Sequence, residues 1–222
     1  ELLGCARRDP GPAAVTDATP ALPRSVRIAA FDVDGTLTER DCVVPFMRQL
    51  AGTSRLVQEM LRQVGDVTRA AAQRDRDALK AASARAAFSG RPFEDVEIEA
   101  ERFARSVFET GLRQDVVESF REHQSRGDTI VLVSASFEVY LRPLADLLGA
   151  DDVLATRLEV DAAGILTGRV EGANCRGPEK VRRLHGWLET NAGGRPTVHV
   201  TAYGDSKGDR ELLADADEAR WV

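Results

Sequence analysis

Three short apolar runs, each stopping at polar or turn-forming residues, constrain the fold of this chain more than any other feature. They span 26–31, ending at Asp32, then 129–133, ending at Ser134, then 197–202, followed by Gly204 and Asp205. Runs of this length bounded by polar turns read as strands, and apolar residues on both faces mean a strand covered on both sides. The stretches between them have helical composition, so strands and helices alternate. That alternation implies an α/β fold with a parallel sheet and right-handed crossovers. Ligands of such sheets bind beyond the carboxyl ends of the strands. Asp32, Asp34, Ser134 and Asp205 all stand at such ends.

The remaining segments fill in this plan. Residues 1–24 are rich in Ala, Pro, Asp and Thr without periodicity, and read as a disordered tail. Residues 42–110 contain no convincing strand and are rich in Ala, Arg, Glu, Leu and Gln, which favour helix. Gly52, Gly65, and Gly90 with Pro92 divide this stretch into three or four helices. Further helices are expected at 115–126, 137–148, 179–190 and 209–214. A third strand is expected at 153–155, a hairpin turning around Gly164 at 157–170, and a last strand near Trp221.

Composition excludes some classes of function. Thirty basic and 36 acidic side chains give a net charge of -6, which argues against a nucleic-acid surface. An acidic protein that handles an anionic substrate needs local positive charge, and a bound metal can supply it. Cys5, Cys42 and Cys175 form no CxxC pair. A zinc site or disulfide framework is therefore not expected, and a reducing, cytoplasmic setting fits. No run of about 18 apolar residues predicts an integral membrane segment. Leu2-Leu3-Gly4-Cys5 has the local look of a lipoprotein cleavage site, but it lacks the basic and apolar segments of a signal and is read as a chance tetrapeptide.

The chemistry concentrates in Phe31-Asp32-Val33-Asp34-Gly35-Thr36-Leu37-Thr38. Two carboxylates this close repel one another and lose solvation, and a divalent cation would relieve both penalties. Gly35 lets the chain turn sharply after them. Taken alone, DxDG also fits an Asp-Gly turn capped by Asp32. The whole string after an apolar strand resembles the first motif of the haloacid dehalogenase superfamily. The resemblance covers nearly everything after residue 25, because the other motifs follow in order. Val131-Leu132-Val133-Ser134 resembles motif two, and Gly204-Asp205-Ser206-Lys207-Gly208-Asp209 resembles motif four. Residues 157–172 resemble the hairpin region of phosphoserine phosphatases. Within the superfamily the chain is most similar to subfamily IB, which implies a Rossmann-like core at 25–40 and 113–222 with a helical cap inserted at 41–112.

This resemblance implies a Mg²⁺-dependent phosphatase acting on a small phosphomonoester. Asp32 would be the nucleophile and Asp34 the proton-transfer group. Asp32, the Asp34 backbone carbonyl and Asp205 would hold Mg²⁺, with Asp209 behind them or acting through water. Ser134 and neighbouring amides, Ala135 included, would bind phosphoryl oxygens. Cys175-Arg176-Gly177-Pro178-Glu179-Lys180-Val181 falls where a basic third motif belongs. Lys180 matches the pattern of phosphatidylglycerophosphatase C and its relatives. Alignment on phosphoserine phosphatase points to Arg176 instead.

Substrate recognition is less defined. Asp41, nine residues after Asp32, stands where phosphoserine phosphatases carry a Glu that binds the substrate amine, though it could equally cap the first cap helix. Lys80 and Arg85 are the cap bases expected to reach the substrate, with a solvated helix face as the plain alternative. Phe46 and Phe88 fit core packing better than a pocket lining. His123, His185 and His199 show no ligand spacing. Two other readings stand beside the metabolite phosphatase: a lipid-head phosphatase working at a membrane surface, and a non-catalytic phospholigand binder. The oligomeric state is not legible.

Overall fold

The computed structural model of the chain describes residues 26–52 and 76–222. The expected tail at 1–24 and the part of the helical insertion at 53–75 lie outside the described residues.

Strand β1 (Val26–Phe31) buries its last four residues. It is followed by α1 (Val43–Ala51), α2 (Arg76–Phe88), α3 (Phe93–Thr110) and α4 (Gln114–Arg126). Then come β2 (Thr129–Phe137), α5 (Glu138–Leu148), β3 (Asp152–Val160) and β4 (Leu166–Glu171). Helix α6 (Pro178–Asn191), β5 (Val198–Gly204), α7 (Arg210–Asp215) and β6 (Glu218–Trp221) complete the chain. The six strands form one sheet in the order β4-β3-β2-β1-β5-β6, parallel except for β4.

The order explains where a ligand can enter. From β1 the chain works outward through β2 and β3, then crosses back to lay β5 on the other side of β1. Neighbouring connections diverge at that switch point and leave a crevice at the carboxyl ends of the strands. Phe31, the last residue of β1, is in register with Leu132 and Tyr203, so Asp32, Ser134 and Asp205 all fall within two residues of one level across the three strands.

Each face of the sheet carries its own apolar core. One gathers Ile28, Ala30, Val131, Val133, Val200 and Ala202 under α6 and α7. The other unites Phe31, Phe137 and Tyr140 with Phe46, Phe88 and Phe103 from α1, α2 and α3. Ring contacts carry this junction: Phe46 lies 4.8 Å and Phe103 5.4 Å from Tyr140, and Phe88 lies 5.0 Å from Phe137. Phe46 and Phe88 are therefore core residues, fully buried. Among the described residues no helix is long and apolar enough to cross a membrane.

Two elements differ from the sequence reading. The strand expected at 153–155 and the first arm of the hairpin are one continuous strand, β3, joined through the fully buried Thr156. Strand β2 does not stop at Ser134 but runs on to Phe137, with a slip in its pairing to β3 between those two residues.

Candidate active site

The site is assembled at the carboxyl end of β1. Asp32 is nearly buried, and its backbone N–H donates to the carbonyl of Tyr203 at 3.0 Å. Gly35 has φ +82°, and a β-carbon on it would sit 2.4 Å from Asp205 Oδ2. Only glycine lets the two acidic loops approach so closely. Thr36 Oγ1 lies 3.3 Å from Asp32 Oδ2 and 3.2 Å from Asp205 Oδ1, and can donate to one of them at a time.

The base of the site comes from α6. Pro178 opens that helix in its first turn, and Gly177 ahead of it donates its N–H to the carbonyl of Gly208 at 2.9 Å. Lys180 is carried inward and is 1% exposed. Its Nζ donates to Asp32 Oδ1 at 2.6 Å and to Asp209 Oδ1 at 2.5 Å. Burial works against the ammonium charge, but Asp32 and Asp209 outweigh it and hold Lys180 above the usual lysine range. Of the two basic candidates, Lys180 is the one bonded to Asp32. Arg176 lies in the cleft wall beside Gly208. Asp209 is fixed in turn, its Oδ2 accepting the Ser206 backbone N–H at 3.0 Å and the Ser206 hydroxyl at 2.6 Å.

Asp32, Asp205 and Asp209 each place a carboxylate oxygen within 4.8 Å of the others. One ammonium leaves this group of three acids short of positive charge. A set made only of oxygen donors suits a hard divalent cation such as Mg²⁺ or Ca²⁺ rather than zinc. The Asp34 carboxylate is not in this group.

Asp34 has a different setting. Its Oδ1 accepts the backbone N–H of Cys42 at 3.0 Å, and its Oδ2 accepts the hydroxyl of Ser136. Burial pushes its carboxyl up to about 6, with Asp41 and Asp32 adding to the rise and the Ser136 and Cys42 donors opposing it. A carboxyl so placed can both give and take a proton near neutral pH.

A cleft of about 340 Å³ brings Asp32, Asp34, Ser134, Ala135, Arg176, Lys180, Asp205 and Asp209 together with Glu39, Arg40 and Asp41. Asp41 also caps α1, its Oδ1 accepting the N–H groups of Val43 at 2.9 Å and Val44 at 3.3 Å. Lys80 and Arg85 do not line this cleft. Lys80 Nζ sits 4.6 Å from the centre of the Phe137 ring. Arg85 lies on α2 where that helix meets β4 at Gly168. Thr36, Ser136 and the Cys42 amide are participants that the motif reading passes over. For Ser136 the signal was the Ser-x-Ser spacing with Ser134.

Comparisons with known proteins agree with this fold. The family model described as haloacid dehalogenase-like hydrolase matches residues 29–214. Protein CicA of Caulobacter vibrioides (strain NA1000 / CB15N) is 37% identical over 198 residues, which are 86% of this chain and 83% of CicA. A crystal structure of a protein of unknown function from Bordetella pertussis Tohama I superposes with a TM-score of 0.71 at 25% identity, over 86% of each chain. A substrate-bound phosphoserine phosphatase shares the fold with a TM-score of 0.56 at 23% identity, over 86% of this chain and 83% of that one.

Proposed function

The chain belongs to the haloacid dehalogenase-like hydrolase family, and from that premise we propose that it is a Mg²⁺-dependent phosphatase that hydrolyses a small phosphomonoester through an aspartyl-phosphate. One observation carries the reading. A buried carboxylate, Asp32, bonded at 2.6 Å to a buried lysine, shares one cleft with Asp34, a second acid whose proton affinity is raised toward neutrality.

Asp32 attacks phosphorus, forming an Oδ–P bond as the bond from phosphorus to the ester oxygen breaks. Asp34 gives its proton to that departing oxygen. Water then attacks the same phosphorus, Asp34 takes its proton, and the Oδ–P bond breaks to release phosphate and restore Asp32. Lys180 balances the charge on Asp32 and on the incoming phosphoryl oxygens. Ser134 and the amides near Ala135 orient those oxygens. Asp32, Asp205 and the Asp34 carbonyl, with Asp209 behind them, would hold Mg²⁺, which when bound neutralises phosphate charge and orients it for in-line attack. The buried free cysteines, Cys42 and Cys175, fit a reducing cytoplasmic setting.

The test is a panel of phosphorylated metabolites assayed with Mg²⁺ and with chelator. The reading expects Mg²⁺-dependent phosphate release from at least one small phosphomonoester. Absence of release across the panel, with the ion bound, would count against it.

A further inference from the structure

Ser136 sits where β2 leaves its ladder. Ser134 pairs with Ala155 and Phe137 with Thr156, so three steps along β2 oppose a single step along β3. Irregularities of this kind re-aim side chains next to active sites. Here the detour is pinned from two directions. Thr156 Oγ1 donates to the carbonyl of Ala135 at 2.9 Å, and the Ser136 N–H donates to Ser134 Oγ at 3.2 Å. The Ser136 hydroxyl, almost wholly buried, is thereby turned onto Asp34 Oδ2.

Asp34 is then gripped at both oxygens from two different parts of the chain. Oδ2 takes a donor from the central strand β2, and Oδ1 takes the Cys42 amide at the entrance to α1. A carboxyl held at both ends cannot swing about its terminal bond. Tyr140 backs this arrangement. Its buried ring packs against Phe46 and Phe103, and its hydroxyl lies close to Ser136.

We infer that Ser136 is a positioning residue for proton transfer, holding the Asp34 carboxyl in the one orientation from which it serves the leaving oxygen and then the attacking water. The inference rests on the reading of Asp34 as the proton-transfer group. Ser136 touches Asp34 and not the reacting atoms. Its effect should therefore scale with how much the leaving group needs a proton. An alkoxide is strongly basic and needs one, whereas an activated aryl oxide departs without it.

The experiment compares kcat/KM for an alkyl phosphate and for p-nitrophenyl phosphate, with Mg²⁺, in the wild type, Ser136→Ala, Ser136→Thr and Asp34→Asn. Ser136→Ala is expected to lose about ten- to a hundredfold on the alkyl ester, as for one lost hydrogen bond to a charged group, and less than about threefold on the aryl ester. Ser136→Thr, which keeps the hydroxyl, is expected to hold the wild-type ratio. Equal losses on both esters, no loss at all, or a Thr variant that behaves like Ala would each overturn the inference. Asp34→Asn separates the two ways of failing. If it shifts the ratio toward the aryl ester and Ser136→Ala does not, only the role of Ser136 falls. If it leaves the ratio unchanged, the reading of Asp34 falls first. Should Ser136→Ala not fold, Ser136→Cys, close in shape and a weak donor, is measured in its place.

Discussion

Lys180 Nζ stands 2.6 Å from Asp32 Oδ1, although 148 positions separate the two residues along the chain. Both side chains are nearly excluded from solvent. A lone buried charge is costly, and each of these is tolerated because the other is present. The pair is consequently both a folding contact and the polar centre of the cleft.

Lys180→Met tests the first half of that statement. It leaves Asp32 and Asp209 buried without their cation, which costs about 3–5 kcal/mol when one partner of a buried pair is removed. Urea denaturation in chelator is expected to show a loss of that size, and phosphatase activity should fall with it. A loss under about 1 kcal/mol would mean that the contact is not formed in solution.

Gly35→Ala addresses the approach of the two acidic loops. The left-handed backbone at this residue and the 2.4 Å clash with Asp205 Oδ2 leave no room for a methyl group. The variant should lose about 1–2 kcal/mol of stability from backbone strain alone. Displacement of Asp205 should also raise the Mg²⁺ concentration needed for half-maximal activity. An unchanged Mg²⁺ requirement would remove Asp205 from the metal site.

Asp41 has two roles open to it, and a pair of variants separates them. Capping of α1 through Oδ1 is visible. Ala in its place should cost about 1 kcal/mol of stability, whereas Asn keeps the cap. If the Asp41 charge also reads the natural substrate, Asp41→Asn should cost about ten- to a hundredfold in kcat/KM at an unchanged melting temperature. Full activity of the Asn variant on that substrate would confine Asp41 to capping.

His123 makes stability depend on pH. Its ring is buried between Asp128, 2.7 Å from Nδ1, and the Tyr203 hydroxyl, 3.0 Å from Nε2. Burial lowers its proton affinity, and Arg126 adds to that, against the pull of Asp128. The unfolded chain therefore binds more protons than the folded one once the pH drops below about 6.5. This contribution is fully present above that value and is lost as the pH falls toward the folded-state value. Melting temperatures of the wild type and of His123→Gln across pH 5 to 8 should diverge less at the acid end. Parallel curves would remove His123 as the source.

How far the sequence could be read follows from the range of the interactions involved. Strand β1 and the end of β5 were legible because an apolar run that stops at Asp32 or Gly204-Asp205 is a local pattern, whereas β2 runs three residues past the stop expected at Ser134. Lys180 was legible as one of two candidates, because Pro178 marks the start of α6 but not its rotation. Ser136 was hidden by the slip in β2, which depends on pairing with Thr156 on another strand. Where Lys80 and Arg85 lie depends on which face of α2 packs inward, and the mix of Ala and charge along that helix leaves this undecided until Phe88 meets Phe137. The join across Thr156 in β3 was missed for a similar reason. Its polar side chain is satisfied by Ala135 and Asn174 from distant segments.

The role of Asp32 as nucleophile is tested by Asp32→Asn. An amide matches the carboxylate in shape and can stay in place beside Lys180, but it cannot attack phosphorus. With Mg²⁺ and p-nitrophenyl phosphate as substrate, the variant is predicted to show no turnover above the uncatalysed rate while remaining folded by circular dichroism. Turnover close to that of the wild type in a folded Asp32→Asn protein would contradict the mechanism.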